Sequence, residues 1–176
     1  MLEAIAVLYH NNRNHMSIEM SLDSASPHIL ADGIRLRQLV HNLLKNSLET
    51  IGGNGWVKLK TKCVLHFGRA CVELSVEDNG KGIPADVADK IFEPYVTTKV
   101  KGSGLGLAIV KKIVDEHGGA VWVINSEQGG ARFIVRLPMM SESGEARVND
   151  DPIGMKYSGI NYSSINNSSS KKDGVA

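Results

Sequence analysis

Asn42, Asn46 and Glu49 stand four and three residues apart in LVHNLLKNSLET. On an α-helix, which turns by about 100° per residue, they fall on one stripe. Two amides and a carboxylate stacked over two turns are oxygen donors for a hard cation; the same pattern also describes a solvated polar face. A second group lies in VELSVEDNGKGIP. Alternate residues of a strand share a face, so Val72, Leu74 and Val76 point one way and Asp78 follows them. The strand thereby delivers a carboxylate to its apolar side, where burial is costly unless a donor meets it. Gly80 and Gly82 let a ligand approach the backbone with no Cβ in the way, although D-x-G-x-G by itself also describes a strand ending in an Asn-Gly turn. A third group, IFEPYVTTKVK, follows apolar Ile91 and Phe92 and a break at Pro94 with Thr97, Thr98 and Lys99, two hydroxyls and an ammonium. The fourth, GSGLGLAIVKKIVDEHGG, sets Gly102, Gly104 and Gly106 before a helix start. Free backbone N–H groups and the positive helix end suit phosphates there. It is not a dinucleotide fingerprint, because the spacing is G-x-G-x-G after a loop, and it is not a Walker A loop.

Elements of ordinary kinds must hold these groups. Asp32 is a good N-cap for a long helix that runs through Ile51 and ends at Gly52-Gly53. On it Leu39, Val40, Leu43, Leu44, Ser47 and Ile51 share the core face. Ser17 to Asp23 alternates like a half-buried strand. Residues 55–67 and 70–78 read as two strands joined by a turn near Gly68. Pro84 to Phe92 reads as a short helix, residues 93–103 as irregular, and Leu105 to His117 as a helix closed by Gly118-Gly119. AVWVINS and ARFIVRLP form a final hairpin. Residues 2–9 have helical spacing, with an edge strand as the competing reading. Helices beside a mixed sheet predict an α/β fold, a two-layer sandwich.

Composition narrows the class. The chain has 176 residues, enough for one domain with an appendage. Apolar residues make up 42 % and aromatics only 5 %, so Leu, Ile and Val must build the core. Twenty Lys and Arg against nineteen Asp and Glu give a net charge of +1, unlike a general nucleic-acid or membrane-surface binder. No apolar run approaches the roughly 20 residues of a membrane span. The first residues also lack the basic region of a signal peptide. Cys63 and Cys71 cannot alone form a disulfide framework or a four-ligand zinc site, so a reducing, cytoplasmic compartment is expected. Residues 1–138 carry the periodic pattern. Residues 139–176 are rich in Ser and Asn and are expected to be a disordered tail.

Taken together, in this order, the four groups resemble the N box (HNLLKNSLE), G1 box (EDNGKGIP), F box (IFEPYVTTK) and G2 box of the ATP-binding catalytic domain of sensor histidine kinases, in the GHKL superfamily. The F and G2 wording looks most like nitrogen-regulation, NtrY-type kinases. The resemblance covers residues 1–138 and implies a cofactor, Mg·ATP. It implies that Asn46 holds Mg²⁺, while Asn42 and Lys45 orient the phosphates; these three are the candidate catalytic residues. Asp78 would accept from the adenine amino group, with Gly80 and Gly82 against the base and Ile83 in its pocket. Thr98, Lys99, Gly102 and Ser103 would belong to a mobile lid spanning Glu93 to Ser103. Gly104, Leu105, Gly106 and Leu107 would form the phosphate-facing start of the next helix. Ala131 stands where many relatives carry Thr, which puts a secondary adenine contact in doubt.

Such kinases phosphorylate a His in an H box on a helical dimerisation domain. None of His10, His15, His28, His41, His66 and His117 lies in an H-box context, and His41 falls one residue off the Asn42–Asn46 stripe. The chain is therefore expected to be a catalytic half. Its implied partners are an H-box domain and, downstream, a response regulator. The rival readings are a GHKL ATPase of the gyrase, mismatch-repair or chaperone kind, an anti-sigma serine kinase, and a nucleotide-binding interaction module. The ATPases place a water-activating Glu where this chain has Asn42.

Overall fold

The structure is a computed structural model, and it describes residues 16–23, 28–51, 54–99, 102–126 and 129–140. The chain divides into two units, residues 1–145 and 146–176, and every described residue lies in the first. The segment read as a helix over residues 2–9, the Gly52-Gly53 stop and residues 141–176 of the segment read as a tail lie outside the described residues; Met139 and Met140, assigned to that tail, instead donate their N–H groups to Ala70 O and His28 O.

Five strands form one sheet: β1 (Met16–Ser21), β2 (Gly55–His66), β3 (Arg69–Asp78), β4 (Ala120–Asn125) and β5 (Ala131–Pro138). Their spatial order is β1-β2-β3-β5-β4. β1 runs parallel to β2 and the other pairs are antiparallel, so the sheet is mixed as expected. Helices α1 (Gly33–Thr50) and α3 (Gly106–Glu116), with the short α2 (Ala85–Ala88), complete the fold.

The period-2 pattern of the strands sets two unlike faces. Val57, Leu59, Val76, Phe133 and Val135 face the helices and are fully buried. Leu39, Val40, Leu43 and Leu44 of α1 meet them, with Val110, Ile113 and Val114 of α3. Leu48, four residues after Leu44, belongs to the same face although the sequence reading omitted it. Phe133 is the largest fully buried side chain, and Phe92 meets it edge-on, with ring centroids 6.5 Å apart.

Helix ends follow their local chemistry. The Asp32 carboxylate accepts from the N–H groups of Ile34 (2.7 Å) and Arg35 (3.3 Å), which hold its pKa below the ordinary value. At the end of α3, Gly118 takes φ +63°, its N–H donates to Asp115 O, and the Gly119 N–H reaches back to Val114 O. This is a Schellman closure, which needs a residue free to adopt left-handed φ. His117 then ties the helices together: Nδ1 contacts Ile113 O at 2.7 Å, and Nε2 accepts from the Asp32 N–H at 3.3 Å. Two expected elements are shorter. β1 stops at Ser21, because Asp23 leaves the strand pattern to accept from Cys63 N–H with its side chain and donate to Thr61 Oγ1 with its backbone. The helix expected over residues 84–92 is a single turn. Its Pro84 cap makes no side-chain bond, and the chain continues in three-residue turns that bring Phe92 onto the core.

The outer sheet face is polar and paired. Glu73, almost fully buried, accepts from Arg136 Nε at 2.7 Å and meets Lys62 Nζ at 3.1 Å. Arg136 in turn lies over the Trp122 ring. Glu77 accepts from Ser126 Oγ and from Arg132 Nη2. Cys63 and Cys71 oppose Val72 and Val64 on neighbouring rungs, so they point to opposite faces and cannot bridge.

Burial pushes the Glu73 carboxyl up, but its bonds to Arg136 and Lys62 together outweigh that and hold it below the usual 4.5. A lowered carboxylate pKa stabilises the fold fully above that pH and loses its contribution as pH falls through the lowered value. Glu73→Gln is therefore expected to cost about 1–3 kcal/mol in denaturant unfolding at pH 7. The difference from the parent protein should shrink below pH 4.5. A cost that stays constant into acid would show that the carboxylate charge does not matter.

Candidate functional site

Asp78 ends β3 opposite Val57, on the apolar side, and is 1 % exposed. Its Oδ1 accepts from the Gly80 N–H at 2.9 Å and from the Ala131 N–H at 3.3 Å. Its Oδ2 is buried and has no partner. Leaving a buried charged acceptor unsatisfied costs about 1–3 kcal/mol or more. The backbone closes tightly around this carboxylate. A Cβ on Gly130 would lie 1.9 Å from Asp78 O, and one on Gly80 would lie 2.7 Å from Thr50 Oγ1.

The loop after Asp78 is held from the far side of the sheet. Asn125, last residue of β4, accepts from Ile83 N–H at 2.8 Å through Oδ1 and donates to Ile83 O at 3.0 Å through Nδ2. Gly82 has φ +71°, and a Cβ there would sit 2.9 Å from that same Oδ1. Asn79 Oδ1 accepts from Trp56 N–H at 2.8 Å, fixing the start of the loop to β2. Ile83 is partly buried against the core.

The other end of the site lies along α1. Asn42 Nδ2 is buried and without a partner. Gly106, first residue of α3, approaches the same side chain: a Cβ there would lie 3.9 Å from Asn42 Oδ1. Asn46 Oδ1 accepts from Lys99 Nζ at 2.8 Å, and Glu49 Oε2 accepts from the same ammonium at 2.7 Å. The expected stripe of Asn42, Asn46 and Glu49 therefore faces the loop that follows Phe92. Lys45 lies at the rim, exposed, 3.9 Å from Glu49 Oε1. Gly104 has φ +67° and packs against the Tyr95 backbone, where a Cβ would come within 2.6 Å; the Tyr95 N–H donates to Gly104 O. Gly102 backs onto Thr97 Oγ1 and donates to Lys99 O. Thr98 and Ser103 are exposed, and Ser103 Oγ takes a long 3.4 Å bond from the Leu105 N–H. Leu105 is exposed at the helix start, and Leu107 is partly buried against the core.

From Asn42 to Thr50 is about 12 Å along the axis of α1, at 1.5 Å per residue. One helix thus places an orphaned donor near the start of α3, and Thr50 against the glycine loop that holds an orphaned acceptor. Among the described residues, no three His, Cys, Asp or Glu side chains gather in metal-ligating geometry. A cation held by Asn46 would take its remaining oxygens from phosphates and water. His66 lies elsewhere, on the outer face. Burial first, then the Arg136 charge, hold its pKa below the ordinary value, against the pull of Glu73. His41 is exposed on α1 beside half-buried Asn42.

Sequence reasoning missed the residues that act on the site through the backbone: Asn79, Thr50, Asn125 and the Ala131 N–H. Ala131 keeps its place beside Asp78 by an amide that every residue except proline would supply. Only the Gly129-Gly130 pair, both at positive φ, marked this position in the sequence.

Residues 31–141 match the family described as histidine kinase-, DNA gyrase B-, and HSP90-like ATPase. The chain belongs to this family. It is 41 % identical over 128 residues to the sensor histidine kinase ZraS of Escherichia coli O157:H7, covering 73 % of this chain and 27 % of ZraS. It is 39 % identical over 135 residues to the sensory histidine kinase/phosphatase NtrB of Rhodobacter capsulatus, covering 71 % of this chain and 38 % of NtrB. The fold matches the catalytic domain of the histidine kinase ThkA with a TM-score of 0.68 and 34 % identity, covering 77 % of this chain and 90 % of that one. The described unit is thus an ATP-binding catalytic domain of the histidine kinase type, with the GHKL α/β fold. The chain spans well under half the length of these two curated relatives.

The two Asn125 bonds should fix the loop at Ile83. Asn125→Ala is expected to speed exchange of the Ile83 amide hydrogen by about thirtyfold, since each of the two bonds contributes about 1 kcal/mol. An unchanged rate would mean that the loop is held by its glycines and by Ile83 burial instead.

Proposed function

We propose that this domain binds Mg·ATP along α1 and donates the γ-phosphoryl group to a histidine carried on a separate dimerisation domain. The observation that carries the reading is two of the three orphaned buried side-chain atoms among the described residues; the third is Ser47 Oγ, on the core face of α1. Asp78 Oδ2 lacks a donor and Asn42 Nδ2 lacks an acceptor. An extended adenine nucleotide supplies both: an exocyclic amino group at one end and phosphate oxygens at the other.

In this reading Asp78 Oδ2 accepts from the adenine amino group, while its Oδ1 stays on Gly80 and Ala131. Gly80 and Gly82 lie against the base, and Ile83 forms an apolar wall. Asn42 and Lys45 orient phosphate oxygens, and Asn46 holds the magnesium ion. Gly104, Leu105, Gly106 and Leu107 present backbone N–H groups and the positive start of α3 to the phosphates. Thr98, Lys99, Gly102 and Ser103 form a lid over them. Magnesium, when bound, neutralises the charge that builds as the terminal phosphoryl group leaves. The residues of this chain position and screen that group; the attacking imidazole nitrogen comes from the acceptor domain, and ADP departs with the cleaved bond's electrons. Asn42 offers no carboxylate to activate water, which disfavours an ATPase reading. The wording of IFEPYVTTK and GSGLGLAIVKKIVDEHGG is what supports an NtrY-type, nitrogen-regulation kinase, with a response regulator as the downstream phosphate acceptor.

Calorimetry tests the adenine contact. Asp78→Asn should weaken ATP affinity about a hundredfold while leaving the unfolding curve nearly unchanged. Unchanged affinity would remove Asp78 from the site. The transfer step is tested by incubating labelled ATP with the chain, with and without an isolated H-box domain from a relative. Acid-labile, base-stable label should appear on the added domain and be lost with Asn46→Ala. Stoichiometric label on the chain alone, abolished by His41→Ala, would instead make the chain a self-contained kinase.

A further inference from the structure

The Lys99 ammonium occupies a cation position built of oxygens. It lies 2.8 Å from Asn46 Oδ1 and 2.7 Å from Glu49 Oε2, two residues one helical turn apart on α1. Lys99 itself is about fifty residues away in sequence, so the contact pins the loop after Phe92 to α1. The loop backbone is fixed locally: the Lys99 N–H donates to Thr97 Oγ1 at 3.1 Å, and the Gly102 N–H donates to Lys99 O at 3.2 Å. These bonds span only two and three residues, so the Lys99 contact is what ties the loop to α1. Glu49 also meets Lys45 at 3.9 Å, so one carboxylate serves two ammonium groups.

A neutral amide oxygen beside a carboxylate suits a compact hard cation as well as an ammonium. An ammonium in contact with Asn46 Oδ1 and a divalent ion on the same oxygen would repel each other at close range. We propose that Lys99 and the divalent cation are alternative occupants of Asn46, with Glu49 the positioning residue that holds Lys99 in place. This rests on the reading of Asn46 as the metal-holding residue. The consequence is a coupling: the cation reaches Asn46 only as the Lys99 ammonium leaves Asn46 and Glu49, which frees the loop from α1. Metal binding and loop release then favour each other by the same factor.

Two measurements on the full chain test this. The first is hydrogen exchange without metal or nucleotide. Glu49→Gln removes the charged partner of Lys99, so the amides of Thr97, Thr98, Lys99 and Gly102 should exchange about three- to tenfold faster. Unchanged rates would overturn the latch. The second is the magnesium concentration that half-saturates ADP binding, where no γ-phosphate is present for Lys99 to assist. Lys99→Met should lower it about three- to tenfold, because the competing cation is gone. Lys60→Met, the same charge change on the outer sheet face, should leave it unchanged. An unchanged or raised value in Lys99→Met, or an equal fall in both variants, would overturn the competition. If no variant and no parent protein binds ADP at all, the nucleotide reading itself fails, and the exchange comparison still decides whether Glu49 latches the loop.

Discussion

Burying the Asp78 carboxylate places demands on every segment around it. One oxygen takes two backbone N–H groups, from Gly80 and Ala131. For both to arrive, the chain after β3 must turn within two residues, and the β4–β5 hairpin must bring its Gly130 backbone against Asp78 O. Side chains would block both approaches, which is why Gly80 and Gly130 stand where they do. The second oxygen receives nothing from the protein. An uncompensated buried acceptor is a standing cost that a ligand donor would relieve, and ligand binding draws on that difference.

Helix α1 carries the same constraint to the other end of the site. Its core face is set by the 3.6-residue period, which fixes the phase of everything else on it. Once Leu39, Leu43 and Val40 are buried, Asn42 and Asn46 must emerge along one flank and His41 must point away. Thr50 then abuts the glycine loop, and Asn42 abuts the first residue of α3. The core that stabilises the domain is thus also what spaces the orphaned Asn42 Nδ2 and Asp78 Oδ2. Tying Asp32 of α1 to His117 after α3 keeps the two helices in step.

Most of this was legible in the sequence because it depends on local rules. The Asp32 cap, the glycine stop after α3, the period of α1 and the alternation of β3 each have a short-range cause, and each appeared in place. The mixed sheet followed from the mixture of elements. What stayed hidden was contact across sequence distance. Asn125 reaching Ile83, and Lys99 reaching Asn46 and Glu49, each span more than forty residues. A lone Asn at a strand end or a Lys after two threonines has many ordinary uses, so type and spacing cannot choose among them. The helix expected over residues 84–92 shortened for a related reason: Phe92 is drawn to Phe133, and a regular helix is not kept that far.

The polar outer face and the nucleotide side place opposite demands on buried carboxylates. Glu73 and Glu77 are buried with full complements of Arg, Lys and Ser partners, and their pKa values fall. Asp78 is buried with half of its partners missing. The most direct test of that contrast is a comparison of ATP with purine riboside triphosphate, which differs only in lacking the 6-amino group. Measured by calorimetry on the parent protein, ATP should bind about a hundredfold more tightly, because the analogue leaves Asp78 Oδ2 without its donor. Equal affinity for the two would contradict an adenine-reading role for Asp78.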